Sequence, residues 1–156
     1  MTLTTLIRGS LVAAAIVSTA AAGQLPKARP TLTTEIGPGT GGASARLSLR
    51  VRLPENVHVQ SDRPRDPSLI ATALTLSPPP GVTVTRVTYP AASDLVQPGR
   101  PEPLAVFSGE FVIAIDVTMT GSAPVTVPGQ LRYQACTDRV CFAPAKTPVE
   151  WEVSLR

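Results

Sequence analysis

The sequence predicts an all-β fold, an immunoglobulin-like antiparallel β-sandwich. Three observations predict it. Apolar residues recur at every second position in about seven short segments, the period of a strand with one face buried. Turn chemistry separates these segments, in runs such as Ser77-Pro78-Pro79-Pro80-Gly81, Pro98-Gly99-Arg100-Pro101, Gly121-Ser122-Ala123-Pro124 and Pro128-Gly129. No amphipathic helical repeat lies between them, and neither does a thioredoxin-like βαβ pattern.

The elements follow in order. The first residues carry one positive charge at Arg8, an apolar run from Leu11 to Val17 and small residues at Ala20, Ala21 and Ala22. This is the pattern of a secretory signal peptide spanning residues 1–22. Its apolar run is short and alanine-rich, and no later segment approaches the roughly 20 apolar residues of a membrane span. The expected mature protein is soluble, lacks a transmembrane segment and is periplasmic or secreted. Residues 23–42 are rich in proline, glycine and threonine and read as a linker with one short edge strand, Thr31 to Ile36. Residues 43–156 then form one sandwich domain.

From Ala45 to Leu53 the alternation is strict, with Ala45, Leu47, Leu49, Val51 and Leu53 on one side and Arg46, Ser48, Arg50 and Arg52 on the other. Further strands are expected at Asn56–Gln60, Ala71–Leu76, Val82–Tyr89, Phe111–Met119, Gln130–Cys136 and Val149–Leu155. The predicted core is Leu47, Leu49, Val51, Leu74, Leu76, Val84, Phe111, Ile113, Ile115, Val117, Leu131, Tyr133, Trp151 and Val153. Pro90 to Pro103 reads as a long loop, a length that marks functional or disordered segments.

Charge points to no partner. Removing the leader takes Arg8 from 14 basic residues set against 11 acidic ones, leaving a formal charge of about +2. The arginines at 46, 50, 52, 63 and 65 lack interleaved aromatics, so a nucleic-acid groove is not expected.

The reactive chemistry lies in Leu131-Arg-Tyr-Gln-Ala-Cys136-Thr-Asp-Arg-Val-Cys141-Phe-Ala-Pro144. Two cysteines in an exported chain make a disulfide the default. Cys136 ends a predicted strand and Thr137 to Val140 suit a hairpin loop, which sets the two thiols side by side with paired Cα atoms about 4.5 to 5.5 Å apart. A permanent staple is one reading of such a pair. The short loop it closes contributes about 2 kcal/mol, against about 3 to 5 for loops of 15 to 100 residues, which is a weak reason for a staple. Reversible exchange is the other reading. Arg139 in the loop favours a thiolate and Asp138 opposes it. Tyr133 and Phe142 flank the pair, either packing against it or simply filling the core.

A metal site would have to draw on His58, Cys136 and Cys141. Structural zinc needs a fourth protein ligand that this chain does not supply, and a copper(I) site would add Met119. His58 alternates with Val57 and Val59 and reads as a surface or hydrogen-bonded structural histidine. No G-x-S-x-G elbow supports serine catalysis. Neither a metal nor an organic cofactor is expected.

At these residues the chain resembles the N-terminal domain of the DsbD family of thiol:disulfide interchange proteins. The likeness runs through Val57-His58-Val59-Gln60-Ser61-Asp62-Arg63-Pro64, Ser68-Leu69-Ile70-Ala71-Thr72, Gly81 to Pro90, and Tyr133-Gln134-Ala135-Cys136 through Cys141 to Pro144. It covers about residues 30–155, and the Y-Q-x-C-x4-C-x-x-P element is its specific part.

The resemblance implies a periplasmic immunoglobulin-like domain. Such a domain accepts electrons from a membrane-embedded thiol carrier and passes them to disulfide isomerases or thioredoxin-like proteins. It implies that Cys141 forms the mixed disulfide with the client and Cys136 resolves it. It also implies a cap loop, placed by order within Ala91 to Val106, where the expected aromatic is missing. The family's transmembrane carrier and thioredoxin-like domain are not encoded in these 156 residues. Either a separate membrane protein supplies electrons or the domain serves another purpose. The competing function is a non-catalytic immunoglobulin-like binding module whose disulfide is structural.

Overall fold

Alternation of apolar residues on β2 and β8 builds the central wall of the fold. A computed structural model describes residues 28–39, 43–121 and 123–154 of the chain, and the expected signal peptide lies outside them. The strands are β1 (Thr31–Pro38), β2 (Ser44–Arg52), β3 (His58–Gln60), β4 (Ala73–Leu76), β5 (Val82–Thr88), β6 (Ser93–Leu95), β7 (Leu104–Ser108), β8 (Glu110–Met119), β9 (Val125–Tyr133), β10 (Ala135–Cys136) and β11 (Ala145–Val153). No helix occurs among the described residues, and every strand pairing is antiparallel.

The first sheet has the order β1-β2-β8-β5, the second β10-β3-β7-β6 and the third β11-β9-β4. Leu47, Leu49 and Val51 of β2 pair with Ile115, Ile113 and Phe111 of β8, so both strands turn the same side inward. Facing them are Val127, Leu131 and Tyr133 of β9, Trp151 and Val153 of β11, Val59 of β3 and Phe107 of β7, all in one buried cluster. The Trp151 indole donates to the Ser48 carbonyl at 3.0 Å, tying the third sheet to the first. A buried indole requires such a partner.

The outer face of the first sheet explains its arginines. Arg46 meets Asp116 directly across the β2–β8 ladder at 2.7 Å, and Arg52 meets Glu110 at the same distance. Arg50 bridges Glu35 on β1 and Glu110 on β8. These basic residues are spent on cross-strand acids, which accounts for the alternation of charge along β2.

Several expectations change. The edge strand begins at Thr31 as expected but runs to Pro38, pairing along its whole length with β2. The strand expected from Asn56 begins at His58, because Asn56 adopts a left-handed turn with φ of 58° and the Val57 amide donates to the Pro54 carbonyl. The long loop contains β6, and β7 follows it unpredicted. Leu104 to Phe107 are all buried, so β7 has no polar alternation to reveal it.

Pro128-Gly129, expected as a turn, lies inside β9. A Cβ on Gly129 would sit 2.9 Å from Leu76 Cδ2 and 3.2 Å from the Trp151 ring, so glycine serves close packing there. The last strand starts at Ala145, and its Pro148 is tolerated because β11 is a sheet edge. Leu74, Leu76 and Val84 are only partly buried against the core, since β4 and β5 are also edges.

Candidate functional site

The cysteine hairpin hangs from the second sheet by a two-residue strand. Ala135 and Cys136 of β10 pair with Val59 and His58 of β3, which pairs in turn with Phe107 and Ser108 of β7. Residues directly opposite on paired strands share a face. Ala135, Val59 and Phe107 belong to the core side, so Cys136, His58 and Ser108 lie together on the opposite side.

Cys136 and Cys141 are disulfide-bonded with Cα atoms 4.0 Å apart, closer than the spacing expected from the sequence. The hairpin between them is a tight turn. The Thr137 amide donates to the Val140 carbonyl at 2.8 Å, and Thr137 Oγ1 accepts from the amides of Arg139 and Val140. A threonine hydroxyl capping its own turn is a common local device. Behind the sulfurs the Phe142 amide donates to the Ala135 carbonyl at 2.9 Å, and the Gln134 side-chain amide donates to the Phe142 carbonyl, also at 2.9 Å.

The two sulfur-bearing residues differ in access. Cys136 is 1% exposed, whereas Cys141 is exposed at the hairpin. Tyr133 is buried in the core and Phe142 packs partly against it, so of the two readings for these aromatics the core reading describes Tyr133. Asp138 and Arg139 are both solvent-exposed and face each other at 3.7 Å, which leaves their opposing influences on the pair largely to water.

Beside the hairpin lies a cleft of about 800 Å³. Its floor includes His58, Val106 and Ser108 of β3 and β7, one wall is residues 53–57, the other is residues 93–98, and Asp138 and Arg139 stand at its edge. The long loop thus brings β6 and its continuation toward the cysteine hairpin. Val96, in that wall, is a large apolar side chain that is 76% exposed.

His58 is the functional candidate that sequence reasoning undervalued. It is not on the surface, being 6% exposed, and its Nε2 finds no hydrogen-bond partner among the described residues. Burial holds its pKa below the ordinary histidine value. Alternation put His58 opposite the core, which is correct, but the pairing of β10 beside β3 that sets Cys136 across from it is a long-range contact with no local signal. Met119 is a core residue at the end of β8 remote from Gly109 and the cleft, so the structure does not bring it to the sulfurs. Among the described residues no group of three or more His, Cys, Asp or Glu side chains could hold a metal ion.

Sequence comparison decides the family. The profile described as thiol:disulfide interchange protein DsbD, N-terminal, matches residues 27–151. The chain belongs to the DsbD N-terminal domain family. Among solved structures it is similar to the reduced DsbD N-terminal domain of Neisseria meningitidis, at 13% identity and a TM-score of 0.50, over 80% of this chain and 84% of that one. That likeness shows a shared fold. The GAE domain of GGA2p from Saccharomyces cerevisiae aligns with a TM-score of 0.48 and 9% identity, over 81% of this chain and 99% of that one. No curated protein matches in sequence. Within the DsbD N-terminal family frame, the Cys136–Cys141 disulfide fits thiol:disulfide interchange. No helix among the described residues is long and apolar enough to cross a membrane.

Proposed function

We propose that this domain is an exported, periplasmic redox relay that carries two electrons at a time through the Cys136–Cys141 pair. The observation that carries the reading is the unequal access of the two cysteines, one buried and one exposed, at a hairpin in a domain of a thiol:disulfide interchange family. A disulfide opens only when a thiolate reaches one of its sulfurs in line with the bond. Access at Cys141 and its absence at Cys136 separate the two roles.

The cycle balances with no cofactor. A membrane-embedded thiol carrier delivers two electrons and two protons and reduces the disulfide to a dithiol. The Cys141 thiolate then attacks one sulfur of a client disulfide, and the client's other sulfur leaves as a thiolate. Next, the Cys136 thiolate attacks the Cys141 sulfur. The client's second sulfur departs, the intramolecular disulfide reforms, and the client holds a dithiol. The clients are thioredoxin-like or disulfide isomerase proteins, whose own exposed cysteines meet Cys141 at the hairpin.

Trapping tests this assignment. A Cys136→Ala protein, expressed with its leader in a bacterial host, accumulates mixed disulfides through Cys141 that are visible on non-reducing gels and released by reductant. Cys141→Ala accumulates none. If Cys141→Ala is the variant that traps partners, the roles are reversed, and if neither traps any, the relay reading fails.

A further inference from the structure

The relay leaves one chemical step without an agent. In its second half Cys136 must lose a proton to become a nucleophile, since the thiolate and not the thiol attacks. Cys141 is exposed and can give its proton to water. Cys136 is 1% exposed, so its proton needs an acceptor inside the protein.

Groups that could take it are few. Across the ladder from Cys136 stands His58, and directly opposed side chains hold their Cβ atoms about 4.5 to 5.5 Å apart. From β7 the same face presents Ser108, which does not titrate in this range. The charged groups around the cleft are Glu55, Asp94, Asp138 and Arg139. All four are exposed, Asp94 is engaged by Arg65 at 2.6 Å, and Asp138 and Arg139 answer each other. On the core side, Tyr133 points away from this face.

His58 has the missing property. Its Nε2 is buried and has no hydrogen-bond partner among the described residues. An orphaned buried nitrogen is costly and calls for a reason. In the disulfide state Cys136 carries no proton, so there is nothing for that nitrogen to accept. Reduction puts an S–H donor on Cys136, the residue paired with His58 across the ladder. Burial also lowers the ring's pKa and so favours the neutral form, in which one ring nitrogen can accept.

We infer that His58 is the proton acceptor for the Cys136 thiol, taking its proton as Cys136 attacks the Cys141 sulfur and returning it to the departing client thiolate. No proton or electron is unaccounted for: the ring begins and ends neutral, and the client leaves protonated. The inference rests on the relay reading, because a permanent disulfide would give His58 no proton to take.

Two measurements test it. His58 is the only histidine in the chain, so its imidazole signals are unambiguous in nitrogen-15 NMR. In the wild-type protein its titration moves downward by at least about 0.5 pH unit on going from disulfide to dithiol, because the Cys136 S–H now donates to the neutral ring and favours that form. An unchanged or higher titration overturns the inference.

The second measurement uses reduced protein mixed rapidly with dithionitrobenzoate, which releases one coloured thiolate as Cys141 reacts and another as Cys136 closes the disulfide. In His58→Gln the first release keeps its rate, while the second slows at least about tenfold at neutral pH and gains a steeper rise with pH. Equal second-phase rates and pH profiles overturn the role of His58 alone. Failure of the first phase in wild-type protein would instead count against the relay, and the NMR titration would still decide the case of His58. The same titration decides if His58→Gln does not fold.

Discussion

Arg65 holds Asp94 at 2.6 Å with one guanidinium nitrogen and the carbonyl of Pro103 at 2.7 Å with another. One side chain therefore ties the cleft wall at Asp94 to Pro103, further along the same loop. Arg100 adds a looser contact to Asp66 at 3.5 Å. The segment is anchored at Asp94, while Val96 beyond it is largely exposed.

Arg65→Ala should release this wall without unfolding the protein. Exposed ion pairs contribute about 1 kcal/mol or less, so the melting temperature should fall by only a few degrees. Hydrogen exchange at Ser93 to Leu95 should accelerate, and reduction of the disulfide by dithiothreitol should speed up roughly two- to fivefold, about the change that loss of such a contact allows. Unchanged exchange and reduction rates would show that Arg65 does not restrain the segment.

Gly129→Ala should destabilise the fold by about 1 to 3 kcal/mol in urea titrations, because its methyl group would meet Leu76 at 2.9 Å and Trp151 at 3.2 Å. Trp151→Ala should cost about 3 to 5 kcal/mol, since a fully buried indole leaves a cavity and strands the Ser48 carbonyl. A neutral outcome at Gly129 would place β9 differently against β4 and β11.

Stability should fall with acid in two stages. Burial lowers the His58 pKa in the folded state, so the unfolded chain binds its proton first. The corresponding stability is complete above about pH 6.5 and declines as the pH drops below it. Hydrogen bonds from Arg46 and Arg50 likewise lower the pKa of Asp116 and Glu110. Their contribution is present above about pH 4 and is lost as the pH falls through the lowered native values. His58→Gln should abolish the first stage and leave the second, as read by urea midpoints between pH 7 and pH 5. A first stage that persists in that variant would contradict this assignment.

The reduced protein should remain folded. The bond closes a hairpin between residues only five apart in sequence, and the core does not depend on it. Reduction should lower the melting temperature by roughly 5 to 10 °C, the effect of about 2 kcal/mol in a domain of this size. Loss of the near-ultraviolet signal of Trp151 on reduction would contradict this and favour a structural bond.

Much of this could be read from the chain. β2 and β8 announce themselves because one face is apolar and the other carries charge, and the cysteine spacing points to a hairpin. β7 is silent because all of Leu104 to Phe107 is buried and period two disappears. Pro128-Gly129 carries turn chemistry, yet β4 and β11 pack on both sides and the strand continues. His58 looked ordinary because its meaning depends on β10 pairing beside β3 and setting Cys136 opposite it, a contact between residues 78 positions apart in numbering. Local pattern reports which face a residue occupies but not which distant strand pairs beside it.

The most direct test of the central claim is the reduction potential of the Cys136–Cys141 pair, measured by equilibration in glutathione buffers. A relay that both accepts and donates electrons requires a value between about −200 and −270 mV. A value well below about −300 mV would mean an inert structural bond and would contradict the proposed function.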